Sequence, residues 1–198
     1  YSDVIEVKKL IRVGDVIWKY ESQGLGWRGS FGFDKEILYA ITKGKLVALN
    51  SNDGKVIWNF FSIGLDERSS PIVEEEEIFI SGSRTLFCIN KSDGSLIWSV
   101  KEDSPYQVFG DPTVGQNNIY RMLKDESSKP NRSSALYRYK KENGGVVWSR
   151  ALGIGFTVGR PLLVGGKIYT LHNGSLLSSN KNGPPEISEK SIGSFNHN

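Results

Sequence analysis

"NSNDGKVIW" spans residues 50–58, and the chain says nearly the same thing twice more, as "NKSDGSLIW" at 90–98 and "KKENGGVVW" at 140–148. In each copy a turn glycine precedes a tryptophan by four residues: Gly54 and Trp58, Gly94 and Trp98, Gly144 and Trp148. Gly14 and Trp18 keep the same interval near the start of the chain. Trp18, Trp58 and Trp98 are forty residues apart, and the step to Trp148 is fifty. The extra ten residues fall in the polar stretch "KDESSKPNRSS" at 124–134, which reads as a surface-loop insertion. A fixed period of this length is the signature of a repeat architecture.

Working outward from the phrase, the rest of the period aligns as well. "SPIVEEEEIFI" (70–80), "DPTVGQNNIYRM" (111–122) and "RPLLVGGKIYTL" (160–171) match one another, and "GSFGFDKEILYA" (29–40) matches more weakly, without the proline. Apolar runs follow at "KLVALN" (45–50), "TLFCIN" (85–90), "ALYRYK" (135–140) and "SLLSSN" (175–180). Each period therefore holds four short runs rich in β-branched and aromatic residues, separated by turn residues, and reads as four strands. Asp53-Gly54, Asp93-Gly94 and Asn143-Gly144 are expected to form tight hairpin turns between the third and fourth strands, with glycine supplying a positive φ. No segment carries a 3.6-residue apolar period.

Four-stranded units repeating about every forty residues predict an all-β fold, a β-propeller of four-stranded antiparallel blades. About four blades fit: 27–61, 68–100, 108–150, and 157–180 completed by a leading hairpin at 4–20. These form a single propeller domain over 1–198, or a part of a larger or shared ring. Four is small for a closed ring, so a fragment or an assembly is favoured over an isolated small ring. Open blade edges would invite pairing with another chain, a second copy included.

The small residue, turn glycine and tryptophan in "ALNSNDGKVIW" resemble the tryptophan-docking motif of the PQQ-like, or quinoprotein-like, propeller superfamily. The carriers are Ala48, Gly54 and Trp58. Cys88 and Arg138 stand where the later copies would have the small residue, while Gly94, Trp98, Gly144 and Trp148 hold. The resemblance covers roughly residues 10–180 and implies that Trp18, Trp58, Trp98 and Trp148 pack between blades, each near a turn glycine of the next. Trp27, in "GLGWRGS", is out of register and is the tryptophan expected to bind a ligand or partner.

Catalytic members of the superfamily hold PQQ with calcium and carboxylates, and many alcohol-oxidising members carry two adjacent cysteines. This chain has one cysteine, Cys88, and its carboxylates Asp34, Asp66, Glu67 and Asp111 follow no calcium-loop spacing. A PQQ- and calcium-dependent dehydrogenase is therefore disfavoured, and no catalytic residue, metal site or cofactor is expected. His172 and His197 form no nucleophile–base constellation with other residues.

The reading favoured is a non-catalytic scaffold or sensor domain that binds a protein or peptide through interblade loops or an exposed strand edge. The resemblance to outer-membrane assembly lipoproteins and luminal sensor domains implies an extracytoplasmic location. The alternative is a carbohydrate or small-anion module. Arg28, Arg68 and Arg160, with Asp111 at the equivalent place in the third blade, would line a mostly cationic mouth. A net charge of +3 does not suggest nucleic acid, and no stretch is long and apolar enough for a membrane-spanning helix. The run Glu74–Glu77 reads as a solvated turn tip, and Cys88 as a small core residue.

Overall fold

The computed structural model describes residues 14, 16–22, 29–42, 44–66, 68–102, 106–108, 110–125, 132–155, 157, 159–181 and 188–191. The described residues contain strands and turns and no helix. Four antiparallel sheets follow one another along the chain, each with its strands in sequence order. The first holds β1 (Gly32–Asp34), β2 (Ile37–Thr42), β3 (Lys45–Asn50) and β4 (Val56–Phe61). The second holds β5 (Ile72–Val73), β6 (Glu77–Ser81), β7 (Thr85–Asn90) and β8 (Leu96–Lys101). In the third, β10 (Thr113–Val114), β11 (Asn118–Asp125), β12 (Ser133–Lys140) and β13 (Val146–Ile154) are joined by β9 (Tyr106–Val108), which also pairs with β11. The fourth is β14 (Leu162–Val164), β15 (Lys167–His172), β16 (Ser175–Asn180) and β17 (Ser188–Ser191). These are β-propeller blades, and about four fit the chain.

The last blade differs from the sequence expectation. Its fourth position is held by β17, which pairs with β16 from Ser175↔Ser191 to Ser178↔Ser188, and not by residues 4–20. Trp18 is docked on the first blade. Its Nε1 donates to the Ser51 carbonyl at 2.8 Å. Residues 4–13 lie outside the described residues.

By contact the chain divides into two compact units, Tyr1–Gly82 with Phe87–Ile97, and Ser83–Leu86 with Trp98–Asn198. In the first, Tyr39, Ile41, Leu46, Ala48, Ile78, Ile80 and Ile89 form a buried core against which Trp58, Phe60 and Val73 pack. In the second, Tyr120, Met122, Leu136 and Ile168 play that part, with Trp148, Leu152 and Leu163. The middle strands are covered on both faces, which is why "LVAL" and "LFCI" read as unbroken apolar runs. The outermost strands alternate, and they expose the aliphatic pairs Val56-Ile57, Leu96-Ile97 and Val146-Val147 that precede each tryptophan.

The repeated phrase folds the same way each time, though not into the two-residue turn the dipeptides suggest. The connection from β3 to β4 is five residues long. Gly54 N donates to Asn50 O at 2.8 Å, Asn50 N to Lys55 O at 2.9 Å, and Asp53 Oδ1 accepts from Lys55 N. Gly94 N bonds Asn90 O and Gly144 N bonds Lys140 O at 2.9 Å in the same pattern. Only the glycine takes a positive φ, +70°, +74° and +71° in the three copies. Two-residue turns do occur, at Asn173-Gly174 and Gly165-Gly166, where both residues have positive φ, as an I′ hairpin needs.

The glycine has a second reason to be glycine. A Cβ at Gly54 would lie 2.5 Å from Trp18 Cε3, one at Gly94 2.4 Å from Trp58 Cε3, and one at Gly144 2.7 Å from Trp98 Cζ3. Each indole is thus laid on the turn of the following blade, where any side chain would displace it. Trp58 Nε1 donates to the Lys91 carbonyl of that turn at 3.1 Å, as Trp18 does to Ser51. Lys91 also ties the first two blades by charge. Its Nζ reaches Asp34 Oδ2 at 2.8 Å and the Glu74 carbonyl at 3.0 Å. The Lys91 hydrogen bond holds the Asp34 carboxyl below its ordinary value.

Two tests follow from this geometry. Gly94→Ala adds both a backbone cost and a clash with Trp58, and should lower unfolding free energy in urea by about 2–4 kcal/mol. Trp58→Phe, which keeps an aromatic ring but loses the Lys91 bond, should cost less than Gly94→Ala. A smaller loss for Gly94→Ala than for Trp58→Phe would contradict the docking. Because Asp34 is depressed in the folded state, its contribution is present above the ordinary carboxylate value near pH 3.9 and fades as pH falls below it. Asp34→Asn should flatten that acid limb of the stability profile.

Candidate functional site

Of the residues expected to bind ligand or partner, the structure describes Arg68, Asp111 and Arg160. Trp27 and Arg28 lie outside the described residues. Arg68 is a local clasp: its Nε and Nη2 reach the Asp66 carboxylate at 2.9 and 2.7 Å, and its backbone N donates to the same group. That bidentate bond pushes the Arg68 guanidinium further up and compensates its charge on the spot.

Strand register also shows that these positions are not equivalent. Gly32, Ile72, Thr113 and Leu162 pair with Tyr39, Phe79, Tyr120 and Tyr169 respectively. Ser30, Ser70, Asp111 and Arg160 therefore share one position, and Arg28 and Arg68 precede it by two residues. At this level the inner strands of neighbouring blades meet. Ser30 N donates to Ser70 Oγ at 3.1 Å in the first unit. In the second, a Cβ at Gly110 would stand 2.8 Å from the Gly159 carbonyl oxygen. The structure thus brings half-buried Asp111 and exposed Arg160 to the same height on adjacent strands, an acid beside a base.

A polar group that the sequence reading passed over sits inside the second unit. Arg121 on β11 is fully buried, and its Nη1 is 3.4 Å from Glu102 Oε1. Tyr139 OH donates to the same Glu102 oxygen, and Arg121 Nη2 approaches the Thr85 carbonyl at 3.4 Å. Arg121 Nε has no hydrogen-bond partner. Burial pulls the Arg121 guanidinium down, and burial pushes the Tyr139 phenol far up. The group has no open face, so its role is to fix β11 and β12 against the Glu102 connection. The available signal was "YRML" at 120–123, where the other repeats have uncharged residues at Arg121.

Two observations mark an exposed apolar place on the first unit. Trp18, Tyr20, Phe31, Leu38, Ala40 and Leu49 line an apolar recess of about 180 Å³ on the first blade. Phe31 is 59% exposed at its mouth, whereas Pro71, Pro112 and Pro161, its counterparts in the other blades, are buried. Among the described residues no group of three or more His, Cys, Asp or Glu is placed to hold a metal ion, and no helix is long and apolar enough to cross a membrane.

Removing Glu102 should leave Arg121 as a buried, uncompensated charge. Glu102→Ala is expected to cost about 3–5 kcal/mol in urea unfolding, and Arg121→Met combined with Glu102→Gln should recover most of it. A double-mutant cycle with no coupling would refute the pairing.

Solved structures share this architecture at low identity. BamB from Moraxella catarrhalis superimposes with a TM-score of 0.63 at 15% identity, over 84% of this chain and 54% of that one. Quinohemoprotein alcohol dehydrogenase ADHIIG from Pseudomonas putida HK5 gives 0.69 at 12% identity, over 84% and 34%. The Pan2 WD40 domain of Neurospora crassa gives 0.55 at 16%, over 82% and 49%. The chain thus spans about half of the BamB structure or less of the others. Among curated proteins none matches significantly. The family model for outer membrane protein assembly factor BamB, however, matches residues 6–176, the same stretch that carries the docked tryptophans, and the chain belongs to that family of PQQ-like propellers.

Proposed function

We propose that the chain is a non-catalytic protein-interaction module that takes an apolar-anchored segment of a partner at the open edge of its first blade. The observation that carries this reading is the recess formed by Trp18, Tyr20, Phe31, Leu38, Ala40 and Leu49. Aromatic side chains around a small apolar pocket are the usual anchors of protein interfaces. The outer strands and residues 16–22 add to it, because Val16 and Ile17 are 65% and 41% exposed directly before the docked Trp18. An extended partner segment could lie along that edge by strand addition. Family membership supports a role in assembly at the cell envelope, and so an extracytoplasmic setting. The shared fold with alcohol dehydrogenases concerns architecture, and fold alone does not carry their chemistry to this chain.

Selection of a displayed random-peptide library should yield binders with one or two apolar anchors. Phe31→Glu should weaken them at least about tenfold, since it places a charge at the mouth of the recess. Leu96→Glu, on the outermost strand of the second blade and not among the recess residues, should leave them unchanged. Both are exposed positions where stability should move by no more than about 0.5 kcal/mol. Equal binding by the Phe31→Glu chain would overturn the assignment. Sedimentation of the protein alone reads whether a second copy takes the same edge.

A further inference from the structure

We propose that the seam between the third and fourth blades is a carboxylate-binding cleft that takes one Asp or Glu side chain of a protein partner. The proposal rests on the interaction reading above but on a different surface. The cleft measures about 190 Å³ and is lined by Gln116, Asn118, Tyr120, Arg138, Leu163 and Lys181 among others. Cofactor- and drug-sized ligands occupy roughly 300–1,000 Å³, so this volume suits a side chain or a small ion.

Arg138 is the unusual residue here. It pairs with Trp148 across β12 and β13 as Ala48 pairs with Trp58 across β3 and β4. A small residue is enough for the packing at that position, so the arginine is not required by the tryptophan. Its guanidinium is nevertheless held in place. Nε donates to Asn118 Oδ1 at 2.9 Å, and Nη1 donates to the Lys181 carbonyl at 2.7 Å. Both acceptors are neutral, so they fix geometry without cancelling charge. This contrasts with Arg68, whose charge Asp66 compensates. Among the described residues no carboxylate lies within ion-pair distance of Arg138, and none of the described lining residues is acidic.

The walls suit an acidic guest. Lys181 adds a second cation, and Gln116 and Asn117 add amide donors. Burial pushes the Tyr120 phenol above its ordinary value, with the Arg138 charge pulling the other way, so it remains a neutral hydroxyl at physiological pH. The floor is closed, since a Cβ on Gly115 would lie 2.8 Å from Leu163 Cδ2. A pre-positioned guanidinium in a half-buried site is the arrangement that favours a carboxylate over a neutral amide.

The test uses the whole chain and three probes: the blocked peptide Ac-Gly-Ser-Glu-Ser-Gly-NH2, its Gln counterpart, and sodium acetate, with inorganic phosphate as a competitor. Saturable shifts of the Arg138 Nε–H and Trp148 indole N–H resonances are expected with the Glu peptide, at least about tenfold weaker with the Gln peptide. Arg138→Ala should abolish them. That variant restores the residue found at Ala48, so its urea midpoint should stay near wild type, which separates lost binding from lost fold. Unchanged binding by Arg138→Ala overturns the site. Acetate binding as tightly as the Glu peptide overturns a protein side chain as occupant, and phosphate binding better than either overturns the carboxylate chemistry. Peptides selected for the first-blade recess that still bind Arg138→Ala, while the Glu peptide fails on wild type, overturn this cleft and leave the interaction reading standing. Failure of both peptide classes overturns the two together.

Discussion

The indole lying on a bare glycine is the constraint from which the rest of the architecture follows. Trp58 and Trp98 sit on the outermost strand of a sheet, and each docked tryptophan needs a turn from the next blade that has no side chain at one point. The Cβ positions at Gly54, Gly94 and Gly144 fall 2.4–2.7 Å from an indole or its neighbour, closer than any carbon can stand. The same turn must present a carbonyl to the indole nitrogen, which Ser51 and Lys91 do. These demands fix the five-residue connection, the positive φ, and the interval of four residues from glycine to tryptophan. The forty-residue period is what remains when four short strands are strung between such turns. Between the first two blades this contact is joined by the Lys91–Asp34 and Ser30–Ser70 bonds.

The sequence made this layer legible because its requirements are categorical. Glycine at positive φ and a large aromatic at fixed spacing leave marks that do not depend on context. The run Glu74–Glu77 as a solvated turn and Cys88 as core were legible for a similar reason, and both hold: Glu74 N bonds Glu77 O with Glu75 and Glu76 exposed, and Cys88 is fully buried. What was not legible depends on register or on polar strands. β17 is "SEKS", with no apolar alternation and no tryptophan, so nothing in its composition marks it as the fourth strand. The Asp-Gly and Asn-Gly pairs suggested two-residue turns, yet the docked indole selects a five-residue connection with the glycine fourth. Arg68 and Arg160 both lie near the start of a first strand, but pairing of Ile72 with Phe79 and Leu162 with Tyr169 puts them two positions apart.

The buried Arg121 shows a further limit of pattern reading. A strand covered on both faces is expected to be apolar throughout, and β11 is, apart from this arginine, Lys124 and the end residues. A charge there is tolerated only because Glu102 and Tyr139 arrive from other elements of the same unit. Those partners are distant in sequence, so the sequence shows the charge without showing its compensation. The hydrogen bonds to Arg121 are long, at 3.4 Å, and its Nε is without a partner, which fits a group retained for specificity of packing more than for net stability.

Because the docking set cannot vary, surface chemistry can differ between blades only at positions the docking does not use. Two such positions stand out. At the start of the inner strand three blades place a buried proline, and the first places Phe31, which turns outward and lines an apolar recess. Opposite the tryptophan the first blade places Ala48 and the third places Arg138, which reaches past the packing into a polar cleft. One difference places an aromatic ring at an apolar recess, and the other places a guanidinium at a polar cleft. A scaffold built from near-identical blades acquires distinct binding chemistry in this way, one deviation at a time, while the repeated contact keeps the frame constant. The residues that hold the fold and those proposed for recognition are therefore different residues.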